Sequence, residues 1–246
     1  MARKTIVGII GGDDRRDQAM SVGKAVAVCG AILLTGGGAP EESLKGTQAK
    51  DAAMAGYRKA TGQTRGMVGI LPSTRENWDI STSPGSLFLG TGMSSYERNA
   101  VNGLTPDIVI AFRGGEGTLC ELAFAFWANA PVLLADSLEH HRKKFREHKT
   151  KGSLQVALEA ASNCYDKIGP GRVDAGELLL LLGRALDDSS EDRLSTTPYS
   201  VDALRKELQA LPPELGHTGF PGLPGAIAES KARFEDVIVK ISSLFP

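Results

Sequence analysis

The sequence predicts an α/β fold, a doubly wound and mainly parallel sheet with a helical C-terminal extension, on three observations. Short apolar runs of strand length alternate with segments of helical spacing from residue 5 to residue 136. Three of the runs end in glycine turns, at Gly11-Gly12, Gly36-Gly37-Gly38 and Gly114-Gly115, as strands do on entering a crossover helix. Beyond residue 137 the strand signal stops and helical patterns follow. The expected division is therefore a ligand-binding domain over 1–137 and a helical extension over 138–246, packed on it or on a second subunit.

In chain order, Thr5–Ile10 reads as the first strand and Asp17–Cys29 as a helix with Ala19, Met20, Gly23, Val26 and Ala27 on one face. Ala31–Thr35 is the second strand, Thr47–Ala60 the next helix, and Gly66–Leu71 a strand stopped by Pro72, which has no N–H to donate. Ser73–Ser86 lacks periodicity and reads as a long loop. Leu87–Gly92 is a short strand and Ser94–Asn102 a short helix, with Ser94 and Glu97 spaced as a capping box. Asp107–Phe112 is a strand that breaks at Gly114 into a helix reaching about Ala128, and Pro131–Leu134 is the last strand of the domain. Right-handed crossovers would place all three glycine turns at the carboxyl edge of one sheet.

The extension opens on a basic run, Glu139–Lys149, followed by helical segments at 153–167, 174–187 and 200–210. The leucines at 178–182 are too few for a membrane span and predict a buried or interface helix. A proline- and glycine-rich loop, Leu211–Gly225, leads to a final amphipathic helix carrying Ile227, Phe234, Ile238, Ile241 and Phe245.

Composition narrows the function classes. With 246 residues, a net charge of −1 and 23% charged residues, the chain has no global nucleic-acid surface. Its apolar stretch Ala25–Leu34 is interrupted by Gly30 and is about half of what a membrane span needs, so no membrane partner is expected and the chain reads as cytoplasmic. Cys29, Cys120 and Cys164 are odd in number and far apart, giving neither a disulfide framework nor a zinc spacing. All four histidines follow residue 139, so none is expected to serve the first domain as metal ligand or base, and no metal is expected. His140-His141 read as part of a solvated basic helix.

The chemistry concentrates at Arg113-Gly114-Gly115-Glu116-Gly117-Thr118-Leu119-Cys120-Glu121. Glycines let backbone N–H groups approach a ligand, and the first turn of the following helix adds unpaired N–H groups and a positive dipole end, which together suit a phosphate. Thr118 and Glu121 also fit a capping box, yet their spacing of three places both on one face, towards whatever the loop holds. Cys120, with Leu119 and Leu122 as neighbours and no histidine near it in sequence, reads as packing and not as a nucleophile. Arg113 either reaches the anion or turns to solvent.

Taken together, Val68-Gly69-Ile70-Leu71-Pro72, Thr91-Gly92-Met93 leading to Glu97-Arg98-Asn99, Asp107-Ile108-Val109-Ile110 and the Gly114–Glu121 stretch resemble the molybdenum-cofactor carrier proteins. Those belong, with the lonely-guy phosphoribohydrolases often misnamed lysine decarboxylases, to one Rossmann-like superfamily of nucleotide and phospho-ligand binders. The resemblance covers roughly residues 5–136. Arg113 stands where the phosphoribohydrolases carry proline and Asn99 where they carry lysine, which leans to the carrier branch; Ala39–Thr47 looks like an insertion where relatives run on to Gly-x-Met.

The resemblance implies a binding or carrier protein for a phosphate-bearing ligand, either molybdenum cofactor or a nucleotide, with no cofactor required for activity. The expected ligand residues are Gly11, Gly12, Gly36, Gly37, Arg98, Asn99, Gly114, Gly115, Glu116, Gly117, Thr118 and Glu121. The alternative it implies is a metal-independent nucleoside 5′-monophosphate phosphoribohydrolase, in which Glu121 and Arg98 would be catalytic. A second alternative is a nucleotide-sensing module. A homo-oligomer, dimer or tetramer, is expected.

Overall fold

The computed structural model describes residues 5–12, 16–28, 30–37, 48–61, 66–73, 87–168, 172–187 and 194–195. The elements run β1 (Ile6–Ile10), α1 (Arg16–Val28), β2 (Ile32–Thr35), α2 (Ala49–Thr61), β3 (Met67–Leu71), β4 (Leu87–Gly90), α3 (Arg98–Leu104), β5 (Ile108–Ala111), α4 (Glu116–Trp127), β6 (Val132–Leu134), α5 (Leu138–Thr150), α6 (Ser153–Ile168), α7 (Ala175–Asp187) and β7 (Leu194–Ser195). The sheet order is β4-β3-β2-β1-β5-β6-β7, and each pairing is parallel. The predicted Rossmann-like α/β fold is the one observed. The helices expected at 200–210 and near 227–245, Cys29 and all but Ser73 of the long loop lie outside the described residues.

Strand alternation feeds two cores. Val7, Ile9, Ile108, Ile110 and Phe112 meet α1 and α2 on one face, while Ile10, Val109, Ala111, Val132 and Leu134 meet α4 and the helices of the extension on the other. The inner strands are covered on both sides and so read as continuous apolar runs, whereas the edge strand β4 is largely exposed. Helix α4 is buried from Thr118 to Phe126 because α5, α6 and α7 close over it. The leucine run of α7 divides accordingly: Leu178 and Leu182 are fully buried and Leu180 is exposed.

Order reverses between β1 and β5, since β2, β3 and β4 lie to one side of β1 and β6 and β7 to the other. That switch point separates the loop after β1 from the loop after β5 and leaves a crevice between them.

Two predicted boundaries moved. Helix α3 begins at Arg98 instead of Ser94, because the Ser94–Glu97 box closes a turn ahead of it: the Ser94 N–H donates to Glu97 Oε2 (2.6 Å) and the Glu97 N–H to Ser94 Oγ (3.2 Å). Strand β4 ends at Gly90, and Thr91 Oγ1 donates back to the carbonyl of Leu71 (2.8 Å).

Candidate functional site

A cleft of about 270 Å³ opens at the switch point. Gly11 comes to it from the end of β1, Gly36 from the end of β2, Arg98 and Asn99 from α3, and Gly115, Glu116, Gly117, Thr118 and Glu121 from the start of α4. Gly12, Gly37 and Gly114, also expected there, do not line it and instead build the walls. The Gly12 N–H donates to the Arg113 carbonyl (2.5 Å) and its own carbonyl accepts from Ala49 N–H (2.9 Å), stitching the first glycine turn to the third and to α2. Gly37, at φ +68°, donates to Thr35 Oγ1 (3.1 Å). A Cβ on Gly114 would collide with the Thr118 hydroxyl. Gly11 is tied to its residue type twice over, by φ +139° and by a Cβ that would lie 2.6 Å from Phe112 Cβ.

The N-cap of α4 is Gly115, which has no side chain to offer the first amides. The capping box proposed for Thr118 and Glu121 does not form, because both lie inside the helix. Glu121 is buried instead, and its Oε1 accepts from Asn102 Nδ2 (2.7 Å). The close seat of α3 on α4 makes this bond possible: a Cβ on Gly103 would strike the Glu121 carbonyl and lie 2.7 Å from Phe124 Cβ. Burial pushes the Glu121 carboxyl up, against Arg98, Asn102 and Lys50, which favour its charged form.

Arg98 is anchored before any ligand arrives. Its Nη1 donates to the carbonyls of Gly36 (2.7 Å) and Ile70 (2.8 Å), and a Cβ on Gly36 would occupy the guanidinium's place. Burial holds it below its ordinary value, opposed by Glu121. Among the described residues Arg98 Nε is a buried donor with no hydrogen-bond partner and Asn99 Nδ2 one with no nitrogen or oxygen acceptor, its neighbour being the Cys120 thiol, and Nδ2 lies 3.7 Å from the Cβ position of Gly117 in the first turn of α4. Buried polar atoms are seldom left unpaired, so each marks a place for an acceptor.

The extension also touches a cleft-lining residue, through a histidine whose contact the sequence did not disclose. His148, near the end of α5, sets Nδ1 3.3 Å from Glu116 Oε2 and 2.9 Å from Ser153 Oγ, and its Nε2 lies 3.6 Å from the Cβ position of Gly115. Tyr96 donates its hydroxyl to Glu116 Oε1 (3.0 Å). A hydrogen bond from its own backbone N–H, then Tyr96 and His148, hold the Glu116 carboxyl below the usual range against the opposing effect of burial. Tyr96 is correspondingly pushed up, first by burial and then by Glu116.

Two further expectations change here. Arg113 neither reaches the cleft nor stands free in solvent but pairs with the buried Asp136 at the end of β6. His141 is no part of a solvated face: it is 2% exposed, and burial, then the neighbouring His140, depress it to about 4. Cys120 packs in the core with Sγ 3.6 Å from the Ala157 carbonyl, and burial pushes its thiol far up, away from any nucleophile.

The model of the SLOG cluster4 family matches residues 4–163. The chain belongs to the SLOG cluster4 family. Its superfamily is that of the Rossmann-like lonely-guy and lysine-decarboxylase-like proteins, and membership supports a ligand-binding role. Among solved structures, the chain is similar to the molybdenum cofactor binding protein of the phototrophic bacterium Rippkaea orientalis, at 33% identity over 54% of this chain and 76% of that one, with a TM-score of 0.43. It is also similar to TM1055, a structural-genomics target, at 23% identity over 53% of this chain and 73% of that one, with a TM-score of 0.42. No curated protein gives a significant match.

The match runs through α5 into α6, so this SLOG-family stretch includes His148. Sequence reasoning missed His148, Tyr96, Gln48 and Lys50. The last three line the cleft, and Gln48 and Lys50 come from the start of α2. Lys50 had one available signal: it is the first cation after the inserted segment, in the first turn of a helix that follows a glycine-terminated strand. His148 had none.

Proposed function

We propose that this SLOG-family chain is a binding or carrier protein for a phosphate-bearing small molecule, a pterin-type molybdenum cofactor or a nucleotide, held between α3 and the N-terminus of α4. The observation that carries the reading is Asn99 Nδ2, a buried donor that has no nitrogen or oxygen acceptor among the described residues, only the Cys120 thiol nearby, and that lies beside the first turn of a helix whose cap is a glycine. A phosphate oxygen is the acceptor such a donor lacks, and the amides of Gly117 and Thr118 would supply further donors. Arg98 and Lys50 would bring positive charge from two other elements. A molybdenum cofactor would be cargo in this site, and the donor set fits its phosphate as well as a nucleotide's.

The test is thermal unfolding with inorganic phosphate, AMP or a pterin cofactor, beside mass spectrometry of molecules that copurify. The expected result is a ligand-dependent rise in Tm in the wild type that Asn99→Ala loses. No rise with any of them, and no copurifying phosphate compound, overturns the proposal.

A second reading, phosphoribohydrolysis of a nucleoside monophosphate, is favoured by one observation. Glu121 lines the cleft beside Arg98 with its carboxyl pushed up by burial, as a group that stabilises an oxocarbenium-like ribosyl centre or handles a proton could be. Release of free base from AMP that Glu121→Gln abolishes supports it; equal and negligible release from both proteins removes it.

A further inference from the structure

Glu116 is an acidic side chain at the mouth of the proposed phosphate cradle, and the structure fixes it there. It is the first residue of α4 and lines the cleft. Tyr96 Oη donates to one carboxylate oxygen at 3.0 Å, and His148 Nδ1 stands 3.3 Å from the other. His148 is itself held by Ser153 Oγ at 2.9 Å. Three elements, the turn before α3, the end of α5 and the start of α6, thus converge to keep one negative charge at the rim of the amides that a phosphate would use.

His148 and Lys151 temper that charge, and the Glu116 carboxyl stays below its usual range, held there first by its own backbone N–H. Among the described residues lining the cleft, the cations are Lys50 and Arg98 and the acids are Glu116 and Glu121, of which burial pushes the Glu121 carboxyl up and leaves Glu116 as the firmly ionised one. The helix end adds the equivalent of only about half a positive charge. Asn99 Nδ2, the buried donor beside Gly117 with no nitrogen or oxygen acceptor among the described residues, is neutral. The cradle therefore sets hydrogen-bond donors beside a carboxylate fixed at their rim, which suits a phosphate carrying one negative charge. A phosphate monoester carries about 1.5 to 2 negative charges at neutral pH. Its second charge would face Glu116 across the cradle, where like charges cost affinity.

We propose that Glu116 is a specificity-determining residue that selects a ligand whose phosphate is a diester or a pyrophosphate, with one negative charge per phosphorus, over a terminal phosphate monoester. The proposal rests on the phosphate-site reading above and names the ligand class within it. Tyr96 and His148 act through Glu116 and are positioning residues.

The probes are AMP and its phosphate methyl ester, which differ by one ionisable oxygen, titrated by calorimetry at pH 7.5 and fixed ionic strength. The wild type is expected to bind the ester at least as tightly as AMP. Glu116→Gln is expected to tighten AMP by about tenfold and the ester by about threefold, since the repulsion scales with ligand charge. Tyr96→Phe, which releases one tether without removing the charge, is expected to move the AMP-to-ester ratio in the same direction by less. Circular dichroism establishes that each variant is folded. A wild type that prefers AMP, or a ratio that Glu116→Gln leaves unchanged, overturns the proposal while the phosphate site stands. Failure of both probes to bind any of the three proteins overturns the phosphate site itself.

Discussion

Arg98→Ala is expected to destabilise the ligand-free protein, and this separates an arginine built into the fold from one held in reserve for a ligand. Two hydrogen bonds leave with the side chain, from Nη1 to the carbonyls of Gly36 and Ile70 at 2.7 and 2.8 Å. Charge-assisted bonds of this kind contribute about 1.5–3 kcal/mol each. Part of that is returned, because a largely buried guanidinium no longer has to be desolvated and Gly36 can relax into its place. A net loss of about 2–3 kcal/mol follows, which for a chain of this length lowers Tm by about 4–12 °C. The assay is thermal unfolding of the apo protein followed by circular dichroism, with Arg98→Lys alongside, since lysine keeps the charge but not the planar fork. A Tm for Arg98→Ala within about 1 °C of wild type would refute the anchoring role. Loss of Arg98 also removes the largest charge favouring ionised Glu121, so the carboxyl should rise further in the variant.

Two other predictions concern the scaffold. Gly56→Ala should lower the unfolding free energy by about 1–3 kcal/mol, read as a lower urea midpoint at unchanged slope, because the added Cβ meets the Met20 carbonyl where α2 crosses α1; the gain in helix propensity, about 1 kcal/mol, does not offset a backbone collision. His141 should make stability fall with acid. Its folded value is depressed to about 4 from an ordinary 6.5, so its contribution is intact above pH 6.5 and is lost as pH falls towards 4, by about 3 kcal/mol in all. Urea midpoints at pH 7.5, 6 and 5 should converge less steeply in His141→Phe than in wild type, and parallel curves would show that the ring's burial does not govern the acid limb.

What could be read from the sequence was whatever depends on neighbours along the chain. The strands announced themselves because both faces are covered, and the glycines that end them are legible because a turn into a crossover helix needs small residues. The Ser94–Glu97 box was also readable, though not that it would close a separate turn ahead of α3. What could not be read depends on contacts across the fold. His148 lies 32 positions after Glu116 in a run that looks like an ordinary basic surface, and only the packing of α5 beside α4 brings it to the glycine loop. The same packing buries His141 one turn from the start of α5 and supplies Asp136 to Arg113. Lys50 reaches the cleft because the Ala49 N–H bonds the Gly12 carbonyl, a tie between two turns separated by the inserted segment.

The division of labour on α3 follows from the same geometry. Seven residues long, it presents Arg98 to the ends of β2 and β3, Asn99 to the first turn of α4 and Asn102 to Glu121. Three polar side chains in so short a helix can serve three partners only if its backbone lies against α4, and Gly103 allows that approach by having no side chain to insert. The carboxylate that the sequence offered as a helix cap is thereby withdrawn from the helix end and neutralised from α3. The helix end is left with glycine amides on one side and Glu116, tethered from the extension, on the other. Donor count and net charge are therefore set by different parts of the chain. The glycine turn and α3 fix the first, whereas contacts from the extension fix where the Glu116 charge sits.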